Sequence, residues 1–265
     1  MIYIMSDIHG CFNELKKMLE LIQFSKKDEL YILGDIIDRG KAPIETLLYV
    51  KKQKNMHMIL GNHEYMMLSY FREKEYDEKS RYCKIAKDLW YQNGGEITHR
   101  QFSELDEKTR NEVLEWLRNL PLYSIKEMNG ITNLMTHAGV YPYQEDNIKA
   151  FLKQQTIDDL IWIRDDFIQS SVKLPFRVIF GHTPVASFQS KLIMFDNIGK
   201  SFSKTYEPLI EKLEENKIAY FNNKIGIDGG CVFGYYLTCI CLNNDKEYFV
   251  LNEETEKLMN TTLEA

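Results

Sequence analysis

Short apolar runs alternate with amphipathic segments along the first seventy residues of the chain. Residues 2–5, 30–33 and 56–60 are apolar runs of strand length, and each precedes a segment whose apolar residues recur at helical spacing. The middle helix opens at Pro43, a residue type that suits the first turn of a helix. Strands that alternate with helices in this way usually pair in parallel. The pattern therefore predicts a β-α-β-α-β unit.

The rest of the chain is richer in strands, apart from one charged segment. The further predicted strands lie at residues 131–135, 178–180, 225–228, 236–242 and 247–251, the last two joined by a turn. Residues 72–120 are charged, aromatic and predicted to be helical, with a break at Asn93-Gly94-Gly95. We predict a single domain over residues 1–265, with the 72–120 segment as an insertion at the edge of the site. Trp90 and Tyr91 would form one wall of an open groove there.

Composition limits the partners and the compartment. The net charge of -6 predicts no bulk attraction to nucleic acid or to an anionic membrane, and no apolar stretch is long enough to span a bilayer. The five cysteines are an odd number without short regular spacing, and the apolar run from Ile2 leaves no room for a charged leader. We therefore expect a cytoplasmic protein with reduced thiols, in which Cys239 and Cys241 share one strand face.

Side chains that can bind metal ions come directly after the predicted strands. These six candidate ligands are Asp7, His9, Asp35, Asn62, His137 and His182. Because the carboxyl ends of parallel strands meet at one edge of a sheet, we expect the six side chains to converge. Oxygen and imidazole ligands without thiolate suit hard or borderline divalent ions. Manganese is the expected metal, and iron, zinc, nickel and magnesium are the alternatives.

This ligand set predicts a site with two metal ions. The carboxylate of Asp35 can bridge two ions through its two oxygens. Ions about 3.5–4 Å apart lower the pKa of a shared water and clamp the attacking and leaving oxygens of a phosphoryl group. Two divalent ions, two aspartates and a bridging hydroxide leave roughly one positive charge, so the site attracts phosphate within an acidic protein.

Three further side chains beside the ligands suit acid catalysis and phosphate binding. His63 follows Asn62 directly, so its imidazole can lie near the ions without binding them. Asp38 lies in the same loop as Asp35 and can orient that imidazole as part of a general-acid pair. Arg39 can present its guanidinium fork to phosphate oxygens.

Five short motifs resemble those of one enzyme family. They are Asp-x-His-Gly at 7–10, Gly-Asp-x-x-Asp-Arg-Gly at 34–40, Gly-Asn-His-Glu at 61–64, His-Ala-Gly at 137–139 and Gly-His-Thr-Pro at 181–184. The set is similar to the phosphoprotein phosphatases within the calcineurin-like metallophosphoesterases, most of all to the bacterial and phage branch that includes lambda phosphatase. The resemblance spans essentially the whole chain and implies an α/β fold, a two-sheet β-sandwich flanked by helices in four αββα layers. It also implies that His63 is an acid paired to Asp38, and that Arg39 and Arg164 bind phosphate.

Two departures from the family pattern bear on the substrate. Many members place an arginine directly before Gly-Asn-His-Glu, where this chain has Leu60. One phosphate clamp is therefore missing or supplied from elsewhere. Residues 227–230 read Ile-Asp-Gly-Gly and lack the hydroxyl of the bacterial Ile-Asp-Thr-Gly motif. Neither departure changes a predicted ligand.

Several functions fit these motifs. The leading expectation is a phosphomonoesterase of the serine/threonine protein phosphatase type, acting on a phosphorylated protein or peptide or on a small phosphoester. The alternative is a symmetrical diadenosine tetraphosphate hydrolase, a class that often carries leucine before Gly-Asn-His; Asp38 and Glu64 favour the phosphatase. A nucleic-acid phosphodiesterase or end-processing phosphatase is disfavoured by the acidic balance. A pseudoenzyme would have lost a ligand or the acid, and none is lost.

Overall fold

The first of two five-stranded sheets carries the predicted parallel unit. The computed structural model describes residues 1–189 and 217–263, and the remaining residues fall outside this description. Strands β1 (Ile2–Met5), β2 (Glu29–Ile32) and β3 (Met56–Met58) are parallel. The antiparallel hairpin of β9 (Tyr236–Cys241) and β10 (Lys246–Leu251) extends this sheet to the order β10-β9-β1-β2-β3. The predicted parallel unit and the predicted C-terminal hairpin are both confirmed.

The second sheet has a parallel centre and two antiparallel edges. Its strands are β4 (Tyr123–Met128), β5 (Ile131–Thr136), β6 (Arg177–Phe180), β7 (Ala219–Phe221) and β8 (Lys224–Gly226), in the order β4-β5-β6-β8-β7. The edge strands β4 and β7 were not predicted. No residue of either one is fully buried, so neither shows the alternation of buried and exposed positions on which a sequence-based prediction depends.

Helices cover the outer faces of both sheets. Those on the first sheet are α1 (Phe12–Leu21), α2 (Pro43–Lys52), α3 (Asn62–Asp77), α4 (Arg81–Gln92), α5 (Glu96–Ser103) and α6 (Glu107–Arg118). Those on the second sheet are α7 (Ile148–Gln154), α8 (Ile157–Ile161) and α9 (Asp165–Ile168). Among the described residues, α10 (Ala186–Gln189) and α11 (Glu253–Leu263) follow in the chain.

Alternate side chains of the central strands pack on opposite faces of their sheet. In β1, Ile4 packs between the two sheets, whereas Tyr3 packs under the helices. In β6, Ile179 packs between the sheets and Val178 packs under the helices of the other side. The protein thus has one core between the sheets and one under each helical layer. This arrangement confirms the predicted α/β fold with two sheets flanked by helices.

The third helix begins earlier than the sequence predicts. α3 starts at Asn62 instead of residue 65, because the Glu64 carboxylate accepts a hydrogen bond from the Gly61 N–H and closes the first turn. Asn62 and His63 therefore lie in a helical turn, not in a loop. The remainder of α3 and helices α4–α6 occupy most of the 72–120 segment, and Asn93-Gly94-Gly95 separates α4 from α5.

The cysteines are all buried and free. Cys239 and Cys241 share one face of β9, as predicted, and this face packs against the helices. Within the described ranges, no helix has the length and apolar character needed to cross a membrane.

Candidate metal centre and active site

The six predicted ligands meet, buried, at the carboxyl ends of the strands. Asp7 and His9 follow β1, Asp35 follows β2, His137 follows β5 and His182 follows β6. The sixth, Asn62, opens α3 after the third strand. Buried polar side chains need partners, because each loses its hydration on folding. Their partners are partly within the group and partly in the neighbouring loops.

Asp35 lies at the middle of this group. Its Oδ2 is 3.7 Å from His9 Nε2, 3.8 Å from His63 Nε2 and 3.4 Å from His137 Nε2. Two groups of potential metal ligands share it: His9, Asp35 and His63 in one, and Asp35, His137 and His182 in the other, with ligand atoms within 4.8 Å of one another. One carboxylate common to two groups is the arrangement that a bridging ligand requires.

The imidazoles beside Asp35 have their ring orientation fixed by backbone carbonyls. His137 Nδ1 lies 2.6 Å from the Leu33 carbonyl, and His9 Nδ1 lies 2.8 Å from the Ile37 carbonyl. Because a carbonyl only accepts, each Nδ1 carries the proton and each Nε2 is left as the nitrogen that can bind a metal. Both Nε2 atoms point toward Asp35.

Asn62 places an amide oxygen against two of the imidazoles. Its Oδ1 lies 2.8 Å from His137 Nε2 and 2.9 Å from His182 Nδ1. An amide oxygen and an unprotonated imidazole nitrogen both present lone pairs, so a proton or a metal ion must separate Asn62 from His137. Burial lowers the pKa of His137, but Asp35 outweighs this effect and raises it to about 9. The residues present therefore fit a cation.

His9 and His182 favour the neutral form of the imidazole, which is the form that can bind a metal. Burial, together with Arg39, lowers the pKa of His9 well below its ordinary value. Burial and Arg164 have the same effect on His182, whose Nε2 is buried and has no hydrogen-bond partner within the described residues. Burial would raise the pKa of Asp35, but the imidazoles of His137 and His63 outweigh it and hold that pKa well below its ordinary value.

Asp7 is held against the loop that follows β6. Its Oδ2 accepts hydrogen bonds from the His182 N–H at 2.9 Å and from the Ser6 hydroxyl. Burial, and then the nearby Asp228 carboxylate, raise the pKa of Asp7 well above its ordinary value. A side chain at Gly181 would collide with Ser6 and Asp7, so only glycine fits at this approach of the two loops.

Backbone strain is concentrated at these loops. Six of the predicted site residues have a positive φ between 45° and 70°: Asp7, His9, Asp35, Asp38, Arg39 and His182. This conformation is uncommon for residues other than glycine and persists only where the surrounding structure enforces it. The loops are thus held in one shape before any substrate binds.

Glu64 supplies part of that enforcement. Its two buried oxygens accept hydrogen bonds from the N–H groups of Asp35, Ile36, Ile37 and Gly61. Burial, and then the Asp35 carboxylate, raise the pKa of Glu64 to about 8. In the sequence, Glu64 served only to favour the phosphatase over the diadenosine tetraphosphate hydrolase. In the structure, it shapes the loop that carries the central carboxylate.

His63 and Asp38 form the predicted pair. His63 Nδ1 lies 2.6 Å from Asp38 Oδ2, and the same oxygen accepts a hydrogen bond from Trp90 Nε1 at 2.9 Å. The Asp38 N–H donates to the Thr98 hydroxyl at 2.9 Å. The prediction that Trp90 forms a groove wall is wrong, since this residue is completely buried. The helical segment instead provides two groups that fix the position of Asp38, and a side chain at Gly95 would displace Trp90.

Trp90→Phe is expected to lower turnover about tenfold, because a hydrogen bond to a charged group contributes about 1.5 kcal/mol. Metal content should remain unchanged, since Trp90 contacts no predicted ligand. Steady-state kinetics with metal analysis would test this. Trp116→Phe is the matched control, because Trp116 packs against the same core and makes no bond to Asp38. Equal effects of the two substitutions would show that Trp90 acts only through packing.

The two predicted arginines lie at different ends of the centre. Arg39 Nη1 is 2.7 Å from His9 Nε2, and the guanidinium lies 5.3 Å from the centroid of the Phe233 ring. Arg164 Nη1 donates to the His182 carbonyl at 3.3 Å and to the Thr183 hydroxyl at 3.1 Å.

Asp228 and Leu60 complete the surroundings of the centre. Burial raises the pKa of the Asp228 carboxyl to about 6, and Arg39 and Arg164 act on it in the opposite direction. Sequence reasoning noted the 227–230 motif but did not place Asp228 at the centre. Leu60 is buried. It supplies no charged group directly before the Gly-Asn-His-Glu motif, where the family pattern often has an arginine.

This fold and this site define a metal-dependent hydrolase of the metallophosphoesterase class. A family model described as calcineurin-like phosphoesterase matches residues 1–228, and the chain belongs to that family.

Two relatives of the chain carry the same enzyme name. A protein of Buchnera aphidicola subsp. Baizongia pistaciae (strain Bp), named bis(5'-nucleosyl)-tetraphosphatase, symmetrical, is 32% identical over 300 residues, covering 96% of this chain and 99% of that protein. A protein of the same name from Wigglesworthia glossinidia brevipalpis is 34% identical over 145 residues, covering 53% of this chain and 45% of that protein. The solved structure of a proposed diadenosine tetraphosphatase has a TM-score of 0.58 and 19% identity, covering 95% of this chain and 93% of that chain. The last likeness shows the fold alone.

These findings correct the leading expectation. The expected enzyme class, a phosphoric monoester hydrolase of the protein serine/threonine phosphatase type, is wrong, because the curated relatives are named for the hydrolysis of a phosphoanhydride. The particular likeness to lambda phosphatase is not supported either. The relatives favour the function given above as the alternative.

Proposed function

We propose that this chain hydrolyses dinucleoside tetraphosphates symmetrically, converting one molecule of diadenosine tetraphosphate and one water into two molecules of ADP. The observation that carries the proposal is the 32% identity to a symmetrical bis(5'-nucleosyl)-tetraphosphatase across 99% of that protein. The similarity extends over nearly the whole of both chains, so it includes the site and the segments around it.

The metal centre of the proposal consists of the six converging ligands. Asp35 would be shared by the two ions, and the other five residues would supply the remaining ligands: Asp7, His9, Asn62, His137 and His182. When bound, two divalent ions supply a nucleophile at neutral pH and stabilise charge on the phosphoryl oxygens. Manganese suits the mixture of carboxylate, amide and imidazole ligands.

Arg39 and Arg164 bind the polyphosphate in this proposal. A tetraphosphate carries several negative charges, and guanidinium groups at two ends of the centre can hold phosphoryl oxygens on both sides of the cleaved bond. A third arginine at position 60 is then not required. The acidic net charge of the chain does not oppose binding, since the local charge decides the affinity.

His63 is proposed to donate a proton to the departing nucleoside diphosphate. Asp38 holds Nδ1 of this ring at 2.6 Å, which directs Nε2 toward the centre. The leaving oxygen belongs to a phosphate whose second pKa is about 6, so it needs less protonation than an alkoxide would. The acid is therefore useful for a phosphoanhydride but less demanding than for an alkyl ester.

Asp38 and Glu64, which favoured the phosphatase in the sequence, do not oppose this proposal. The Glu64 oxygens are occupied by backbone N–H groups, and the Oδ2 atom of Asp38 is occupied by His63 and Trp90. Both residues position other groups of the site, and this task is the same for either substrate.

Product analysis tests the proposal. The manganese-loaded protein should convert diadenosine tetraphosphate to ADP as the only nucleotide product, measured by ion-exchange chromatography. Formation of AMP and ATP in equal amounts would mean that the chain cuts at another bond, and the symmetrical assignment would then be wrong.

A further inference from the structure

A surface groove with apolar and aromatic walls lies between α3 and α4, and the site described above does not use it. We name it the α3–α4 groove. Its volume of about 360 Å³ lies within the range of small-molecule sites, roughly 300–1,000 Å³. The residues of its wall that matter here are Tyr65, Arg72, Tyr82, Leu89 and Trp162.

One end of the groove adjoins the metal centre. The Trp162 ring meets the His182 ring edge-on, with centroids 6.1 Å apart. Tyr65 lies in the first turns of α3, the helix that opens with ligand Asn62. Leu89, near the end of α4, directly precedes the buried tryptophan that bonds to the acid pair. Three walls of the groove thus continue into elements that hold the centre.

The groove leads away from the centre along both helices. Arg72 lies seven residues after Tyr65 in α3, which corresponds to roughly 10 Å along the helix. Tyr82 stands at the start of α4, at the far end from Leu89. The guanidinium of Arg72 bonds to Glu73 at 3.1 Å and is mostly exposed. Tyr65 and Trp162 thus supply aromatic rings at the end beside the centre, and Tyr82 supplies one at the other end.

α4 exposes more apolar surface here than a packed helix does. Tyr82, Ile85 and Leu89 recur at helical spacing on one side and are 72%, 50% and 47% exposed, whereas Cys83 and Trp90 on the core side are buried. A contiguous exposed apolar stripe beside a site usually marks a surface that binds something. The stripe faces the groove, since all three of its residues line it.

We propose that the α3–α4 groove binds one nucleoside of the substrate, with the base against Tyr82 and Leu89 and the polyphosphate passing Trp162 to the metal centre. This inference rests on the proposed function, because only a nucleotide substrate places a base beside the phosphates. Trp162 lines the groove and also meets the His182 ring, so a nucleoside joined to phosphates held at the centre lies beside the groove. Stacking of a base on an aromatic ring typically improves affinity roughly 5- to 150-fold.

Two substitutions at exposed positions test this without disturbing the core. Tyr82→Ala and Leu89→Ala should each raise the KM for diadenosine tetraphosphate about tenfold and leave kcat within about twofold. The inhibition constant of inorganic tetraphosphate, a competitor with phosphates but no base, should not change. The matched controls are Tyr76→Ala and Leu21→Ala, which remove exposed side chains of the same types outside the groove and should have no effect.

The outcomes separate the groove from the proposed function. If the unmodified protein cleaves diadenosine tetraphosphate and neither groove variant changes its KM, the groove assignment is wrong and the function stands. If the unmodified protein does not cleave this substrate at all, both are wrong. A parallel rise in the inhibition constant of inorganic tetraphosphate would place the defect at the metal centre, and an effect seen only with a phosphopeptide competitor would assign the groove to protein. Either result would contradict the inference.

Discussion

Asp35→Asn is expected to lower turnover about 10³-fold, which corresponds to roughly 4 kcal/mol of transition-state stabilisation. Asp35 is the one carboxylate shared by both groups of ligands, and its Oδ2 lies within 4 Å of three imidazoles. Asparagine keeps the shape and one acceptor oxygen, so the backbone N–H of His63 can still donate its hydrogen bond to the side chain at position 35. The bridging charge is lost.

Metal analysis by plasma mass spectrometry, together with steady-state kinetics, measures this effect. The unmodified protein should hold close to two manganese ions per chain, and Asp35→Asn should hold fewer. Chelation should abolish the activity of the unmodified protein, and manganese should restore it. Asp88→Asn, an exposed change on α4, is the control and should behave like the unmodified protein. Full turnover by the chelated, metal-free protein would refute the two-metal assignment.

His63→Asn is expected to reduce turnover of an alkyl phosphoester by about 10²–10⁴-fold, the usual contribution of a general acid. For diadenosine tetraphosphate, the loss should lie at the lower end of this range, because the leaving phosphate requires less protonation. Metal content should remain near two ions per chain. Kinetics on both substrates and metal analysis of the same preparation would measure the three quantities.

The alternative for His63 is that it binds a metal, since its ring belongs to the group that contains His9 and Asp35. The two roles differ in one observable. If His63→Asn loses one metal ion, this residue is a ligand and not an acid. His57→Asn serves as the control, because His57 is exposed on β3 and lies outside both groups of ligands.

The position of the site could be predicted from the sequence because strand ends are visible locally. Asp7 and Asp35 each follow a short apolar run, and parallel strands bring such ends together. The sequence did not show that these residues are buried or that their backbone is strained. Positive φ values at Asp7 and Asp35 depend on contacts with distant residues, such as the hydrogen bond that the Asp35 N–H donates to the Glu64 carboxylate, and no local pattern shows them.

Trp90 shows why the edge of the site could not be predicted. It lies in a charged, aromatic segment, a composition typical of an exposed surface. Its partner, Asp38, is 52 residues away in the chain. Only the tertiary packing of α4 on α3 decides that Trp90 is buried while Tyr82 and Leu89 remain exposed. The sequence therefore could not show that Trp90 belongs to the core and not to a groove wall.

The substrate was the least predictable feature. Metal ligands and the acid pair perform the same chemistry on esters and anhydrides of phosphate, so the motifs that carry them define a reaction class and not a substrate. Asp38 and Glu64, the residues used to choose between substrates, contact the interior of the site. The choice depends on surfaces such as the α3–α4 groove, which have no motif.

The most direct measurement is a comparison of kcat/KM for diadenosine tetraphosphate and for a phosphoserine peptide, made on one manganese-loaded preparation. We predict that the dinucleotide is preferred by at least about 10²-fold, which corresponds to roughly 2.7 kcal/mol of difference in transition-state binding. Faster turnover of the phosphopeptide, with little or no cleavage of diadenosine tetraphosphate, would contradict the proposed function.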